Sequence, residues 1–345
     1  MAESLPGAET ALAMQQAEMQ RLIIGYRVTK LLYAAATLGI ADLLADGPQT
    51  VEELAETVGA HADALYRALR ALASVGVFTE ITHRRFALTP LADLLRTGHP
   101  RSMRAVAIFN GEEAYRAWGD LLYSLRTGAP AFAHVFGLPH FDYLAQHAEA
   151  NAVFNQTMSA NTVRSVAAIV GAYAFPATGV VVDVGGGHGA LITAVLRAYP
   201  GLRGVLFDQP HVVEGAASTL EEAGVEERCV RVGGDFFAPP LPAGDVYLLR
   251  QIIHDWDDER SIAILRHCAE AAPAGKVLVI EALVPPGNEP SPAKFLDLQM
   301  LVMMNGGRQR TEDEYQQLFA AAGLRLTRVV PTNSDFSIVE GVRMV

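Results

Sequence analysis

Apolar positions along this chain keep two different spacings, and the change between them falls near residue 175. Ahead of that point they recur every three or four residues, as on helix faces; beyond it, short β-branched runs alternate with helical ones. From about Arg21 to Leu44 the pattern is helical, rich in Ala and Leu and poor in charge. A layer this apolar wants a partner surface, such as another subunit. Thr50-Val51-Glu52-Glu53-Leu54 then opens a helix with a capping box, Thr50 standing three residues before Glu53, and Gly59 ends it. A second helix is expected over about Ala62 to Ser74, with Leu65, Leu69 and Leu72 on one face, followed by a β-hairpin of Val77 to Ile81 and Arg85 to Thr89. Helix, turn, helix and hairpin make a winged-helix module, so residues 1–100 read as a winged-helix dimerisation domain. Residues 101–175 read as a helical linker whose aromatics are mostly core, with Phe154 to Met158 as its candidate pocket segment.

From Gly179 onward strands and helices alternate, as in a parallel α/β sheet. Strands are expected over Val180 to Val184, Arg203 to Phe207, Cys229 to Val232, Asp245 to Leu249 and Lys276 to Ala282, with helices beginning near His188, His211 and Asp257. The end differs. A helix over Glu312 to Ala322 precedes two consecutive strands, Leu324 to Val330 and Phe336 to Arg343, close enough together to pair antiparallel. The expected class is therefore α/β, a Rossmann-like sheet over 176–345 with an antiparallel C-terminal hairpin, behind an N-terminal α-helical winged-helix domain.

The stretch from Val180 to Ala190 is the chemical centre of that sheet. A β-branched run ends in Asp183, four glycines fall within five positions, and a helical pattern begins at once. Glycine belongs where backbone must come close to a ligand that a Cβ would strike. Gly185, Gly187 and Ala190 satisfy the loose dinucleotide fingerprint, with Asp208 at about the spacing of a ribose-binding acid. The competing reading is an S-adenosylmethionine site, in which Asp183 at the strand end lies near the ligand's α-ammonium; beside a pyrophosphate the same acid would repel. That difference favours S-adenosylmethionine.

Composition and charge restrict the partners. The 345 residues are half apolar and 19% charged, a globular composition, and the net charge of −11 argues against nucleic acid or an anionic membrane surface. Residues 1–100 hold eight Lys/Arg against eleven Asp/Glu, and the would-be recognition helix offers only Arg67 and Arg70, too few cations for phosphate contacts. Met1 to Gln20 carries Glu3, Glu9 and Glu18 with no Lys or Arg, unlike a signal peptide. No apolar run reaches the roughly 18 residues of a membrane span. Cys229 and Cys268, the two cysteines, lack metal-ligand spacing; they suit a reduced, cytoplasmic protein and exclude a three-cysteine iron–sulfur site.

Ligands of such sheets sit at the carboxyl ends of the strands. Asp208 ends the second, where it could accept both ribose hydroxyls. Gly234, Asp235 and Phe236 end the third, offering an acceptor for an adenine amino group and a ring beside the base. Arg250 and His254 follow the fourth, and Glu281 leaves the fifth.

Taken together, Asp-Val-Gly-Gly-Gly-His-Gly, Gly-Gly-Asp-Phe-Phe, His-Asp-Trp-Asp-Asp-Glu and Gly-Gly-Arg-Gln-Arg-Thr, on this domain order, resemble the plant and bacterial small-molecule O-methyltransferases. That is the family of caffeic acid O-methyltransferase and of anthracycline and other polyketide tailoring methyltransferases. The resemblance implies a homodimer of secondary metabolism that uses S-adenosylmethionine and releases S-adenosylhomocysteine. It implies that Gly185, Asp208, Asp235 and Phe236 contact the cofactor, with Arg250 near its amino-acid end. It makes His254 the general base and Glu281 the acid that orients it. Phe154, Met158, Met300 and Met304 match substrate-pocket positions, with Asp255 and Gln309 grouped beside them, and Ala150, aromatic in the plant enzymes, implies a roomier pocket for a bulky natural product.

The chemistry suits these residues. Methyl transfer is an in-line displacement at a sulfonium carbon, so the nucleophile should be an oxyanion. A phenol near 10 lies about 3.5 pKa units above a free imidazole, about 4.8 kcal/mol uphill for full proton transfer, and a carboxylate on the other imidazole nitrogen eases that step. One departure stands out: where the family usually has a second acid against the histidine, this chain has Gln309, which brings no charge. This admits relatives that methylate carbon or nitrogen, or that keep the cofactor without methylating. Nothing indicates a metal requirement, although His254, Asp255 and Glu281 could come together around an ion.

Overall fold

In the computed structural model, which describes residues 6–272 and 274–344, the chain divides into two units. One is Met1–Arg116 with Ala152–Thr157, the other Ala117–Asn151 with Met158–Val345. Glu3 of the acidic start lies outside the described residues.

The first unit opens with three helices, Pro6–Ile23, Tyr26–Thr37 and Ile40–Leu43, where the spacing predicts one helical stretch from Arg21. Gly39, at φ 66°, breaks the stretch. The first helix escapes a periodicity reading because it buries no face: Leu12, Met14, Met19 and Leu22 are all exposed. The capping box forms as expected, Thr50 N–H donating to Glu53 Oε2 at 2.7 Å and Glu53 N–H to Thr50 Oγ1 at 3.3 Å. The hairpin is β2 (Phe78–Thr82) and β3 (Arg85–Leu88), and β3 also pairs with β1 (Gln49–Thr50), too short to register as a pattern. Leu54, Leu65, Leu69, Leu72, Phe78 and Phe86 pack as the core of this unit.

The second unit is built on a seven-stranded sheet. Its strands are β4 (Gly179–Val184), β5 (Leu202–Asp208), β6 (Cys229–Gly233), β7 (Val246–Arg250), β8 (Lys276–Glu281), β9 (Leu324–Pro331) and β10 (Ser337–Arg343). Their order is β6-β5-β4-β7-β8-β10-β9, with β10 antiparallel to both neighbours and the pairs among β4 to β8 parallel. Alternate residues feed two cores. Val181, Leu248, Leu278 and Ile280 pack on one face with Leu191, Ile192 and Leu196 of the helix after the glycines. Val182, Tyr247, Val277 and Val279 pack on the other with Ile264 and Leu265 of helix Asp258–Ala271 and Phe319 of helix Glu312–Ala321. Burial on both faces is why these strands read as unbroken apolar runs. The helix Pro292–Met303 is absent from the sequence expectation although Ser291-Pro292 is a start signal, with Ser291 Oγ accepting from Ala293 N–H.

Glu340 ties the hairpin to the rest of this sheet. It lies in the middle of β10, 4% exposed, and accepts from Thr327 Oγ1 at 2.6 Å, Tyr173 Oη at 2.5 Å, and Lys276 Nζ and Arg328 Nη2 at 3.1 Å each. Burial would raise its pKa, but these four donors win and hold it down to about 2. A depressed carboxylate stabilises the fold above its unfolded pKa and loses that contribution as pH falls toward the folded value. Glu340→Gln should therefore lower stability at pH 7 by about 1–3 kcal/mol and flatten the loss of stability between about pH 4.5 and 2, measured by chemical denaturation across that range.

Candidate active site

The loop after β4 is shaped by glycines in left-handed backbone: Gly185, Gly187 and Gly189 have φ of 67°, 58° and 80°. A Cβ at Gly185 would collide with the side chain of Ile252, whereas one at Gly187 would meet nothing within 4 Å. The loop is therefore packed from behind and open at Gly187. Its N–H donates to Asp208 Oδ2 at 2.8 Å, and the other carboxylate oxygen accepts the Gln209 N–H at 2.7 Å. Burial raises the pKa of Asp208 against these two N–H groups. Asp183 lies beneath the loop, 1% exposed, its Oδ2 accepting the Ile192 N–H at 3.2 Å; burial pushes it up to about 7. This carboxylate props the turn and the helix start from within.

Gly234 N–H donates to the Asp208 carbonyl at 2.9 Å, and a Cβ there would strike the Phe207 ring. Asp235 Oδ1 accepts the Phe237 N–H at 2.9 Å. The Phe236 ring stands edge-on to Phe237 and Trp256, centroids 4.9 and 6.0 Å away. So the ends of β4, β5 and β6 form one continuous edge: an open glycine, a carboxylate and an aromatic wall.

Arg250 ends β7. Its guanidinium donates to Thr162 Oγ1 at 2.8 Å and Ser165 Oγ at 3.0 Å, lies 5.0 Å from the Phe336 ring centroid, and keeps a buried Nε with no partner among the described residues. Burial lowers its pKa to about 10, against the pull of Glu281 and Asp183. Gln251 follows at φ 54°, a conformation that costs a non-glycine residue of order 1 kcal/mol or more and marks the point where the chain leaves the sheet. No sequence signal announces it.

His254 sits in a single 3₁₀ turn, Ile253–Asp255, and is 5% exposed. Its Nδ1 faces Glu281 Oε2 at 3.1 Å and the side-chain amide of Gln309 at 2.6 Å; its Nε2 faces Asp255 Oδ1 at 3.4 Å. Glu281, the last residue of β8 and 0% exposed, also accepts the His254 backbone N–H through Oε1 at 3.2 Å. Burial opposes charge on the ring, but the Glu281 and Asp255 carboxylates outweigh it and push His254 up to about 9. Burial likewise raises Asp255, to about 6, against the lowering effect of the ring. The Gln309 atom placed against Nδ1 is the amide nitrogen Nε2; a proton on Nδ1 directed at Glu281 requires the amide to turn over and present its carbonyl oxygen instead. The two acids bracket the ring from opposite sides and do not converge on one point, and among the described residues no group of three or more such side chains is placed to hold a metal ion.

Of the remaining expected residues, Met300 and Met304 are buried, 6% and 8% exposed, and Met158 is half-buried. Phe154 falls in the first unit, its ring 5.9 Å from Phe109. Sequence reasoning missed Asp297, whose Oδ1 accepts the Gln309 N–H at 2.9 Å, and the donor pair Thr162 and Ser165 that meet Arg250. It also gave Arg310 no role, although that residue lies inside a motif it singled out.

Two family models match the chain. An O-methyltransferase dimerisation domain covers residues 20–98 and an O-methyltransferase domain covers 118–325. The chain is 53% identical over 321 residues to phenazine O-methyltransferase PhzM of Lysobacter antibioticus, covering 93% of this chain and 94% of that protein. The crystal structure of LaPhzM superposes with a TM-score of 0.92 at 52% identity, over 96% of this chain and 99% of that one. An O-methyltransferase from neocarzinostatin biosynthesis, solved with S-adenosylmethionine and 2-hydroxy-5-methyl naphthoic acid, superposes at a TM-score of 0.80 and 36% identity, over 92% of this chain and 96% of that one. With this sheet order and this edge, the chain belongs to the S-adenosylmethionine-dependent O-methyltransferase family.

Proposed function

We propose that the protein methylates a phenolic or enolic hydroxyl on a bulky aromatic natural product of antibiotic-type secondary metabolism, with His254 as general base and Glu281 as its partner. The observation that carries this reading is the buried Glu281 carboxylate on His254 Nδ1, which leaves Nε2 for the substrate's proton. The 53% identity to a phenazine O-methyltransferase supports a flat, fused-ring acceptor.

The edge fits the cofactor. Asp208 would take the ribose hydroxyls, Asp235 the adenine amino group, Phe236 the face of the base, and Gly187 the close approach of backbone. Arg250, whose buried Nε has no partner among the described residues, would meet the carboxylate. When bound, S-adenosylmethionine supplies an electrophilic methyl on a cationic sulfonium.

The protein's part is to prepare the nucleophile. The Glu281 carboxylate on Nδ1 raises the basicity of the ring and so narrows its gap to a phenol near 10. The cost is that this carboxylate and that of Asp255 favour the protonated ring in the ligand-free protein. A cation brought into this dry site disfavours the imidazolium, so His254 titrates lower in the complex and recovers its role there. Asp255, 3.4 Å from Nε2, must yield that nitrogen to the substrate hydroxyl. Met158, Met300 and Met304 supply polarizable surface for an aromatic ring.

We also assign a homodimer. The dimerisation-domain match and the exposed apolar side chains of the helix Pro6–Ile23 support it. The two cysteines are free and buried, as a reducing cytoplasm permits.

The test is label transfer from methyl-labelled S-adenosylmethionine onto hydroxyphenazines and hydroxynaphthoates, with the attachment site read by mass and NMR. Methylation on carbon or nitrogen, or cofactor binding from which no label ever leaves, would refute the oxygen-transfer reading. His254→Ala should lower kcat by about 10²- to 10⁴-fold; an unchanged kcat would remove the base from the mechanism. Activity should rise with pH, because the base works only when neutral. The acid limb of kcat/KM should lie above 6.5, toward 9, and that of kcat lower. Gln309→Glu adds a second carboxylate beside Nδ1 and should move both limbs to higher pH.

A further inference from the structure

Five consecutive residues, Gly306 to Arg310, line the turn that carries His254. A Cβ on Gly306 would lie 3.0 Å from Asp257 Cβ, and one on Gly307 would lie 2.8 Å from the His254 carbonyl oxygen. The two glycines thus let the strap reach contact distance. The Arg308 N–H donates to that same carbonyl at 2.8 Å, and Gln309 meets the ring. Arg310 completes the set with a side chain that is 0% exposed. Its Nη1 donates to the Ile253 carbonyl at 3.0 Å, and its Nη2 to the Trp256 carbonyl at 2.9 Å and Ser261 Oγ at 3.3 Å. Its Nε and Nη2 donate to Asp258 Oδ1 at 3.0 and 2.7 Å.

The geometry points to Arg310 as a positioning residue for methyl transfer: its guanidinium grips the carbonyls on both sides of His254 and Asp255 and so holds the imidazole against Glu281. A guanidinium taken fully out of water is expensive unless its N–H groups are bonded. Most of these bonds go to the segment Ile253–Ser261 that carries the base. The fork is what the task requires. It meets two carbonyls and a carboxylate from one rigid plane, whereas a lysine ammonium is a point charge on a flexible stem and cannot span all three. The carbonyls gripped belong to the residue before His254 and the residue after Asp255, so a loosened clamp lets the ring swing rather than unfolding the sheet. Placement of a base is steep in its effect, about 10²-fold for a displacement near 1 Å.

This inference rests on His254 being the base, so its test needs a readout that does not depend on turnover. Arg310→Lys and Asp258→Asn are compared with the unaltered full-length protein. Asp258 is 57% exposed in its side chain, so its variant keeps the question answerable if the lysine variant does not fold. The His254 ring is followed by NMR titration in the ligand-free protein, with melting temperature, cofactor Kd, kcat and KM measured alongside. We expect the His254 midpoint to move down as Glu281 loses its grip on Nδ1, in both variants. For Arg310→Lys we expect kcat to fall by about 10²-fold while cofactor Kd and both KM values stay within about twofold; Asp258→Asn should show a smaller fall of the same kind. A lowered melting temperature with an unmoved His254 midpoint and unmoved kcat in Asp258→Asn would overturn the inference and leave Arg310 a fold-stabilising residue only. If no acceptor is ever methylated, the functional reading fails on its own, and the ring titration still decides whether Arg310 positions His254.

Discussion

The structure of the second unit depends on keeping a charged pair dry. Glu281 is wholly buried at the end of a central strand, and His254 is almost wholly buried against it. Both carboxylate oxygens look to one residue: Oε1 accepts the His254 backbone N–H, and Oε2 lies 3.1 Å from the ring Nδ1 as an ion-pair contact. The same residue that needs the acid for its basicity therefore makes the acid's burial affordable. Around this pair, the left-handed step at Gln251, the 3₁₀ turn and the glycine strap all serve to bring a loop residue back over the sheet edge it has just left.

Much of this was legible in the sequence, and the legible parts share a cause. The central strands β4, β7 and β8 are buried on both faces and read as apolar runs, the helices next to them carry a single apolar stripe, and residues at strand ends are placed by the sheet itself. Asp208, Arg250 and Glu281 could thus be assigned to one edge from their order alone. The approach of His254 to Glu281 could not be derived that way. It spans 27 residues and depends on a turn without periodicity, and the resemblance, not the spacing, carried it.

The illegible parts share a cause too. Arg310 bonds residues about fifty positions earlier in the chain, and a buried arginine looks like any surface arginine until its partners are known. The helix Pro6–Ile23 hides for the opposite reason, since its apolar residues face outward within the unit and leave no stripe. The support that Asp183 gives the loop through the Ile192 N–H was equally hidden, since nothing in the spacing announces that bond.

The order of the last three strands sets how the sheet must be assembled. β10 is made after β9 yet lies between β9 and β8, so during synthesis β9 emerges with no neighbour to join and β8 waits with an open edge. Neither can be satisfied until β10 has been translated and threaded between them. Until then an apolar strand edge remains available to wrong partners. A frameshift or stop within β10 would remove an interior strand, not trim a margin, and would strand β9 with it. Glu281 ends β8 opposite Ser337 of β10, so the strand that carries the buried acid gains its second neighbour only when the last strand is in place.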